Sequence, residues 1–412
     1  MTASSSAFDL QSGTVSAVLA GAQGLNKTTS GIGYLSGANT YTGATTIYAG
    51  SLILGLGGSS GSLSPSSTLV DYGTLGFNRS DTLTQGTAFA AVISGSGSVI
   101  QMGSGTLELQ SGNTFSGSLI LASGNLKVIG ANTSTVVNEN ASVSLTSGAR
   151  IVSAIYGNAS RGTIDVTSIV SGFIASGTTT FSASNANFTD PCSGYVKTLT
   201  LVYVGGDTTT SSNSSFGTSR LVINGGSLDN GVGSEVTMLT NNTQNWNSSF
   251  TFIGSSSLNL GTGAVTLGTS PTLTVSAGTL TVGGVISGAF ALTKAGSGRL
   301  LLTASSSYTG GTTVSAGSLL LSGGSNRLSI SGAITGAGGV LDLGGDSQSS
   351  SGVIALTGGT FQNGTLTATG SAFDMRSGSV TATLSGAQGL NKTTTGSVTL
   401  TNSNSYTGGT TV

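Results

Sequence analysis

The chain has no histidine, one cysteine and three prolines among its 412 residues, and only 25 of them are charged (12 Lys or Arg, 13 Asp or Glu). Each scarcity excludes something. Without histidine, the commonest proton shuttle at neutral pH is missing. A lone Cys192 cannot close an internal disulfide, and in FTDPCSGY it reads as an incidental residue of a polar loop more than as a reactive thiol. Acids and bases balance to a net charge of −1, which leaves no basic patch for nucleic acid. No apolar run approaches the ~18 residues of a membrane-spanning helix. No charged-then-apolar leader opens the chain either, since its first cation is Lys27.

Glycine is plentiful, 68 residues, and Val, Ile, Leu and Thr alternate through the remainder. Disordered chains are poor in β-branched residues and usually carry a strong net charge, so this chain is expected to fold, as β. Few prolines suit a structure that needs its backbone N–H groups for ladders. Strand signals are short and regular: TLELQ at 106–110, SLNL at 257–260, AVTL at 264–267, TLTV at 272–275 and 279–282, RLLLT at 299–303, VLDL at 340–343, VIALT at 353–357. Alternation puts Leu and Val on one face and Ser, Thr or a charge on the other. Glycine interrupts windows of helical length, and no helix is expected. A cross-β aggregate is the rival for such a composition, but glycine-punctuated turns favour one chain folding back on itself.

The chain repeats itself. Residues 6–47, SAFDLQSGTVSAVLAGAQGLNKTTSGIGYLSGANTYTGATTI, recur without a gap at 371–412. A shorter pattern sets Lys or Gln fourteen residues before an aromatic, with glycine nine residues after it. Its copies are Lys27, Tyr41, Gly50; Gln101, Phe115, Gly124; Lys294, Tyr308, Gly317; and Lys392, Tyr406, where the chain ends before the glycine. Glycines at 43, 310 and 408 follow the tyrosines two residues on. Repetition at fixed offset marks a repeat architecture in which each unit buries its apolar edge against its neighbours. Like phrases are expected to stack, so a parallel β-solenoid is preferred to antiparallel hairpins. At roughly 20–25 residues per coil and about 4.8 Å per coil, the chain would form a rod of roughly 17–20 coils and about 80–95 Å. The whole of 1–412 reads as one solenoid, with 130–250 as diverged coils carrying longer loops. Repeat text at both ends gives the chain the look of a piece of something larger.

The phrase LTKAGSGRLLLTASSSYTGGTTVSAGSLLL, 292–321, resembles the autotransporter-associated β-strand repeat, also called the passenger-associated transport repeat. Residues 25–54 look like a second copy, 99–128 like a degraded one and 390–412 like the start of another. The resemblance implies a right-handed parallel β-helix passenger, exported through an outer membrane and displayed or released at a bacterial surface. The repeats would assist folding or crossing. Implied partners are the outer-membrane translocation machinery and ligands on host or neighbouring cells, with no cofactor.

Catalysis has little to work with. The acids lie isolated in Gly/Ser text, and only Asp342 with Asp346, and Asp71 with Asp81, are near in sequence. GGVLDLGGDS at 338–347 lacks the calcium nonapeptide spelling, so no metal is expected. Sequons such as Asn132-Thr133-Ser134 follow from composition. Two alternatives stand beside the adhesive rod: a carbohydrate-active β-helix enzyme, and an ice-binding solenoid. The pairs Thr178/Thr180, Thr272/Thr274 and Thr365/Thr367 lack the constant spacing that ice binding needs. Trp246, in NNTQNWNSSF, is expected to pack a loop against the rod rather than to stack on sugar.

Overall fold

The computed structural model describes residues 1–90, 92–110, 112–128, 132–138, 142–144, 150–158, 161–175, 180–182, 184–191, 197–204, 211–213, 216–218 and 220–412. Within them the chain winds as a parallel β-solenoid of about 17 turns. Leu25 pairs in register with Thr45, and Thr45 with Leu69, so successive coils take 20 and 24 residues (45 − 25, 69 − 45). One file of strands runs Phe8–Leu10, Leu25–Lys27, Thr45–Ile47, Leu69–Asp71, Ile93–Ser94. A second runs through ten strands from Gly13–Val15 to Ile286–Ser287. A 21-stranded sheet carries two further interleaved files, from Thr82–Thr84 to Thr410–Thr411.

Like residues do stack in the interior. Leu258, Leu280, Leu300, Leu319 and Leu341 succeed one another in register, as do Leu52, Leu75, Val99, Leu119 and Leu221. All ten are buried. Burial at roughly 25 cal/mol per Å² makes this spine the main stabilising term, and each coil needs only its neighbours to collect it. The duplication is reproduced in packing: Phe8 meets Tyr41 with ring centroids 6.5 Å apart, and Phe373 meets Tyr406 at 6.0 Å.

The reading of 130–250 as diverged coils holds only in part. Asn125–Val128 pairs directly, in unbroken register, with Ser227–Asn230. Likewise Leu119–Leu121 pairs with Leu221–Ile223. Between them several described strands stand outside the parallel files, although Ser211–Asn213 pairs parallel with Val236–Met238. Asn132–Asn138, Thr198–Val204, Arg150–Asn158 and Gly162–Asp165 form an antiparallel sheet, and Ser142–Ser144 pairs antiparallel with Thr180–Ser182. Alternation is the same in parallel and antiparallel strands, so the sequence pattern does not distinguish them.

A helix also appears, Thr167–Ala175. The Asp165 carboxylate accepts the Thr167 N–H at 2.8 Å, which satisfies a free donor at its start. Val166 and Val170 are buried, and Phe173 lies 6.5 Å from Phe188. These apolar positions fall at four-and-three spacing behind an acidic cap, a helix signal that the glycine-rich surroundings obscured. Cys192 and Thr178 lie outside the described residues.

Candidate functional site

Each copy of the short pattern builds the same corner. Lys27 and Lys294 alternate with Leu25 and Leu292, so they point inward, and both are fully buried. Expecting every charge on the outer face was therefore wrong for these two. A buried ammonium needs acceptors. Lys294 Nζ donates to the carbonyls of Ala295 and Gly296, both at 2.8 Å, and Ala316 at 3.1 Å. Lys27 Nζ donates to Thr29 and, at 3.2 Å, to Ala49. Each lysine thus joins the turn of its own coil to the turn of the next. Gln101 fills the place with its Nε2 donating to Gly103 and Gly105 at 3.0 Å. Lys392 reaches the Thr394 carbonyl. Burial lowers the pKa of Lys27, and that of Lys294 to about 8.

The glycine that ends each pattern sits over those carbonyls. Gly50, Gly124 and Gly317 have φ of +70°, +65° and +61°, and an added Cβ would overlap carbonyl oxygens of the coil beneath. Left-handed backbone without side-chain room calls for glycine. Gly43, Gly310 and Gly408 have a different reason: a Cβ there would strike the backbone of the preceding coil.

The aromatic residue closes the corner. Tyr41 and Tyr308 are fully buried, and each hydroxyl bonds the threonine four residues on: Tyr41 to Thr45 at 2.6 Å, and Tyr308 to Thr312. Tyr406 repeats the bond to Thr410 at 2.8 Å. Burial pushes the phenols of Tyr41 and Tyr308 up to about 12. Phe115 has no hydroxyl, and the residue four on is Leu119, equally buried.

A second feature lies on the outer surface. Thr84, Glu108, Lys127 and Asp229 follow one another in register on consecutive coils. Thr84 Oγ1 donates to Glu108 Oε2 at 2.6 Å, and Lys127 Nζ lies 3.6 Å from Glu108 Oε1. Asp229 accepts the Ser255 N–H at 2.9 Å and its hydroxyl at 2.7 Å. The row flanks a cleft of about 270 Å³.

Four segments, residues 25–54, 99–128, 292–321 and 390–412, match the family model of the passenger-associated-transport-repeat. The chain carries four passenger-associated transport repeats. No curated protein and no solved structure matches it. These repeats on a β-solenoid fit an autotransporter passenger, imply export by the outer-membrane machinery and suggest an extracellular or cell-surface location.

The passenger-associated transport repeats are not confined to one side of the rod. Lys27 belongs to the first file of strands, Gln101 to the second, and Lys294 to the 21-stranded sheet. Their lysines do not stack: Lys294 lies between Leu273 and Val314. The repeats with Lys27 and Lys294 are each a local corner lock made of their own residues.

The acids close in sequence serve separate ends. Asp342 accepts from Gly344 N, Gln362 and Asn363, whereas Asp346 accepts from Gly324 N. Asp81 pairs with Arg79 at 2.5 Å. Asp71 is fully buried, with Oδ1 accepting Gly73 N–H at 2.9 Å and Oδ2 without a partner. No group of three His, Cys, Asp or Glu side chains that could hold a metal occurs among the described residues. No helix among them is long and apolar enough to cross a membrane.

Trp246 corrects its expectation. It belongs to the strand Gln244–Trp246, fully buried, with Nε1 donating to Gln244 Oε1 at 3.1 Å and Phe250 edge-on at 5.2 Å. It is a core residue. Threonines do align, but singly: Thr272, Thr293, Thr313 and Thr335 form one file over four coils, while the row of Thr274 passes to Ala295. The sequence pairs missed this file because its members lie in different coils.

Proposed function

We propose that the chain is a non-catalytic structural and adhesive rod of a bacterial autotransporter-type passenger, whose repeats assist its folding and export. One observation carries the reading: in the repeats at 25–54 and 292–321 a buried lysine ties the turn of its own coil to the turn of the next through groups contained within the repeat. A solenoid held by nearest-neighbour locks can nucleate at one end and propagate. Coils that fold as they emerge outside the cell would oppose backward slipping of the segment still in transit. The buried lysine, the positive-φ glycine and the Tyr–Thr pair stiffen the corners, where short strands alone give few ladder bonds. Scattered acids such as Asp81, Asp342, Asp346 and Asp374, held by turn N–H groups or a neighbouring arginine, support a scaffold rather than a reaction centre.

The test changes Tyr41, Phe115, Tyr308 and Tyr406 together to Asp in a full-length exported protein and measures surface yield. Surface-exposed material is expected to fall several-fold while the cell-retained fraction rises. Normal surface yield of a poorly folded rod would end the reading. The adhesive part is tested separately, by binding of the isolated rod to host or neighbouring cells, where absence of binding leaves a spacer or shed fibre.

A further inference from the structure

The residue two places before each repeat aromatic joins coils from inside the rod. Asn39 Oδ1 accepts the Leu19 N–H at 2.8 Å, and its Nδ2 donates to the Gly37 carbonyl at 3.3 Å and to that of Ser62, on the coil beyond, at 2.7 Å. Asn113 Oδ1 accepts the Ile93 N–H at 2.9 Å, and Asn404 Oδ1 accepts the Leu384 N–H at 2.8 Å. Each of these bonds reaches back 20 residues, to the coil before. The partner's own carbonyl accepts the N–H that follows the asparagine: Leu19 from Thr40, Ile93 from Thr114, Leu384 from Ser405. The carboxamide thus supplies an acceptor for a buried N–H that the ladder leaves over. Gln348, outside the repeats, does the same for Leu328, again 20 residues back, at 2.8 Å.

The repeat at 292–321 has Ser306 in this place. Its register is the same, since the Ile286 carbonyl accepts the Ser307 N–H at 2.8 Å. In an extended strand the N–H and C=O of one residue point to the same side, so the Ile286 N–H is directed at the coil of Ser306. A hydroxymethyl is shorter than a carboxamide, and the Ser306 Oγ is buried without a partner among the described residues. We infer that the position two before the aromatic is a further coil-joining position of the repeat, and that Ser306 makes the joint between the coils of Ile286 and Ser306 an opening point inside the rod, looser than its counterpart at Ile93 and Asn113. An interior joint that opens ahead of its surroundings divides the rod into segments that fold and unfold separately. The inference deepens the folding role proposed for the repeats and rests on it only for its use during export. Opening is read by amide exchange on the purified chain and export by surface yield, so either can fail alone.

Amide exchange of the purified full chain, read residue by residue by NMR, compares Ile286 with Ile93, both fully buried. After correction for intrinsic rates, the Ile286 amide is expected to exchange at least about tenfold faster, since it lacks the side-chain acceptor that holds Ile93. Ser306→Asn should supply that acceptor and slow Ile286 to nearly the Ile93 rate. Ser306→Ala guards against an asparagine that does not fit. With no bond to lose, it should keep the parent's thermal midpoint, whereas Asn39→Ala should lower the midpoint measurably. Equal protection of Ile286 and Ile93 in the parent would overturn the inference. So would an unchanged Ile286 rate in a folded Ser306→Asn chain, or a loss in Ser306→Ala that matches the loss in Asn39→Ala.

Discussion

Tyr41 and Thr45 share a hydrogen bond of 2.6 Å in the dry interior of the rod, and the repeat that loses the tyrosine loses the threonine too. Phe115 and Leu119 stand in the corresponding places of the second repeat. A buried hydroxyl without a partner costs more than replacing both polar partners by apolar groups. The pair therefore varies as a unit.

The same exchange made by design should be non-additive. Tyr308→Phe strands the Thr312 hydroxyl, and a loss of about 1–3 kcal/mol is expected. Adding Thr312→Leu should recover much of it, as in the Phe115/Leu119 corner. Denaturation curves of the two singles and the double, read as a cycle, check this; additive losses would refute coupling.

Asp71 predicts an inverted acid response. Burial raises its carboxyl from 3.8 to about 7, against hydrogen bonds from Gly73 and Leu75 N–H that pull it down. Between those values the folded chain keeps a proton that the unfolded chain has lost, so stability declines as pH climbs from about 4 to 7. The decline should be on the order of 3 kcal/mol and should vanish in Asp71→Asn. Melting of both proteins across that range measures it.

Lys294 gives the opposite slope at higher pH. Burial lowers its pKa from 10.5 to about 8, so above pH 8 the folded chain releases a proton that the unfolded chain retains. Stability of the parent should then rise between pH 8 and 10.5 relative to Lys294→Met, whose curve has no such component. A difference that stays flat, or slopes the other way, would show that the carbonyl contacts outweigh the burial.

Much of this architecture was legible and part was not, for physical reasons. The solenoid could be read because Leu300, Leu319 and Leu341 must lie over one another if repeated phrases stack. Inward lysines are legible in the spacing, since Lys27 and Leu25 differ by two positions and so share a face, but the high cost of burying a charge argues for the outside until the carbonyl acceptors of the turn are known. The excursion escaped because Thr198–Val204 alternates like any coil strand and only its partners differ. The Glu108–Lys127–Asp229 row was invisible since Lys127 and Asp229 are neighbours across 102 residues of sequence (229 − 127).

Glycine positions can be ranked by their surroundings. Gly317 has φ of +61° and carbonyls of Gly296 and Gly298 where a Cβ would go, whereas Gly58 has open space and no positive φ. Gly317→Ala should cost about 1–2 kcal/mol from the left-handed backbone alone, with the overlap adding to it. Gly58→Ala should be neutral or slightly stabilising. Equal effects, measured by denaturant midpoint, would contradict the corner geometry.

The solenoid should also survive loss of its excursion. Asn125–Val128 already pairs with Ser227–Asn230, and the core files pass from Leu119 to Leu221 and from Leu126 to Leu228 without interruption. Replacing residues 132–204 with a short Gly/Ser linker removes no strand from either file. Linker closure costs little, because its entropy grows only slowly with length. The expected product keeps a β-type circular dichroism spectrum and a thermal midpoint within a few degrees of the parent. Amide exchange at Leu121 and Ile223 should stay slow, since their partners across the junction remain. If those amides exchange freely in the shortened chain, the excursion organises the coils beside it, and the Glu108–Lys127–Asp229 row cannot hold them together unaided.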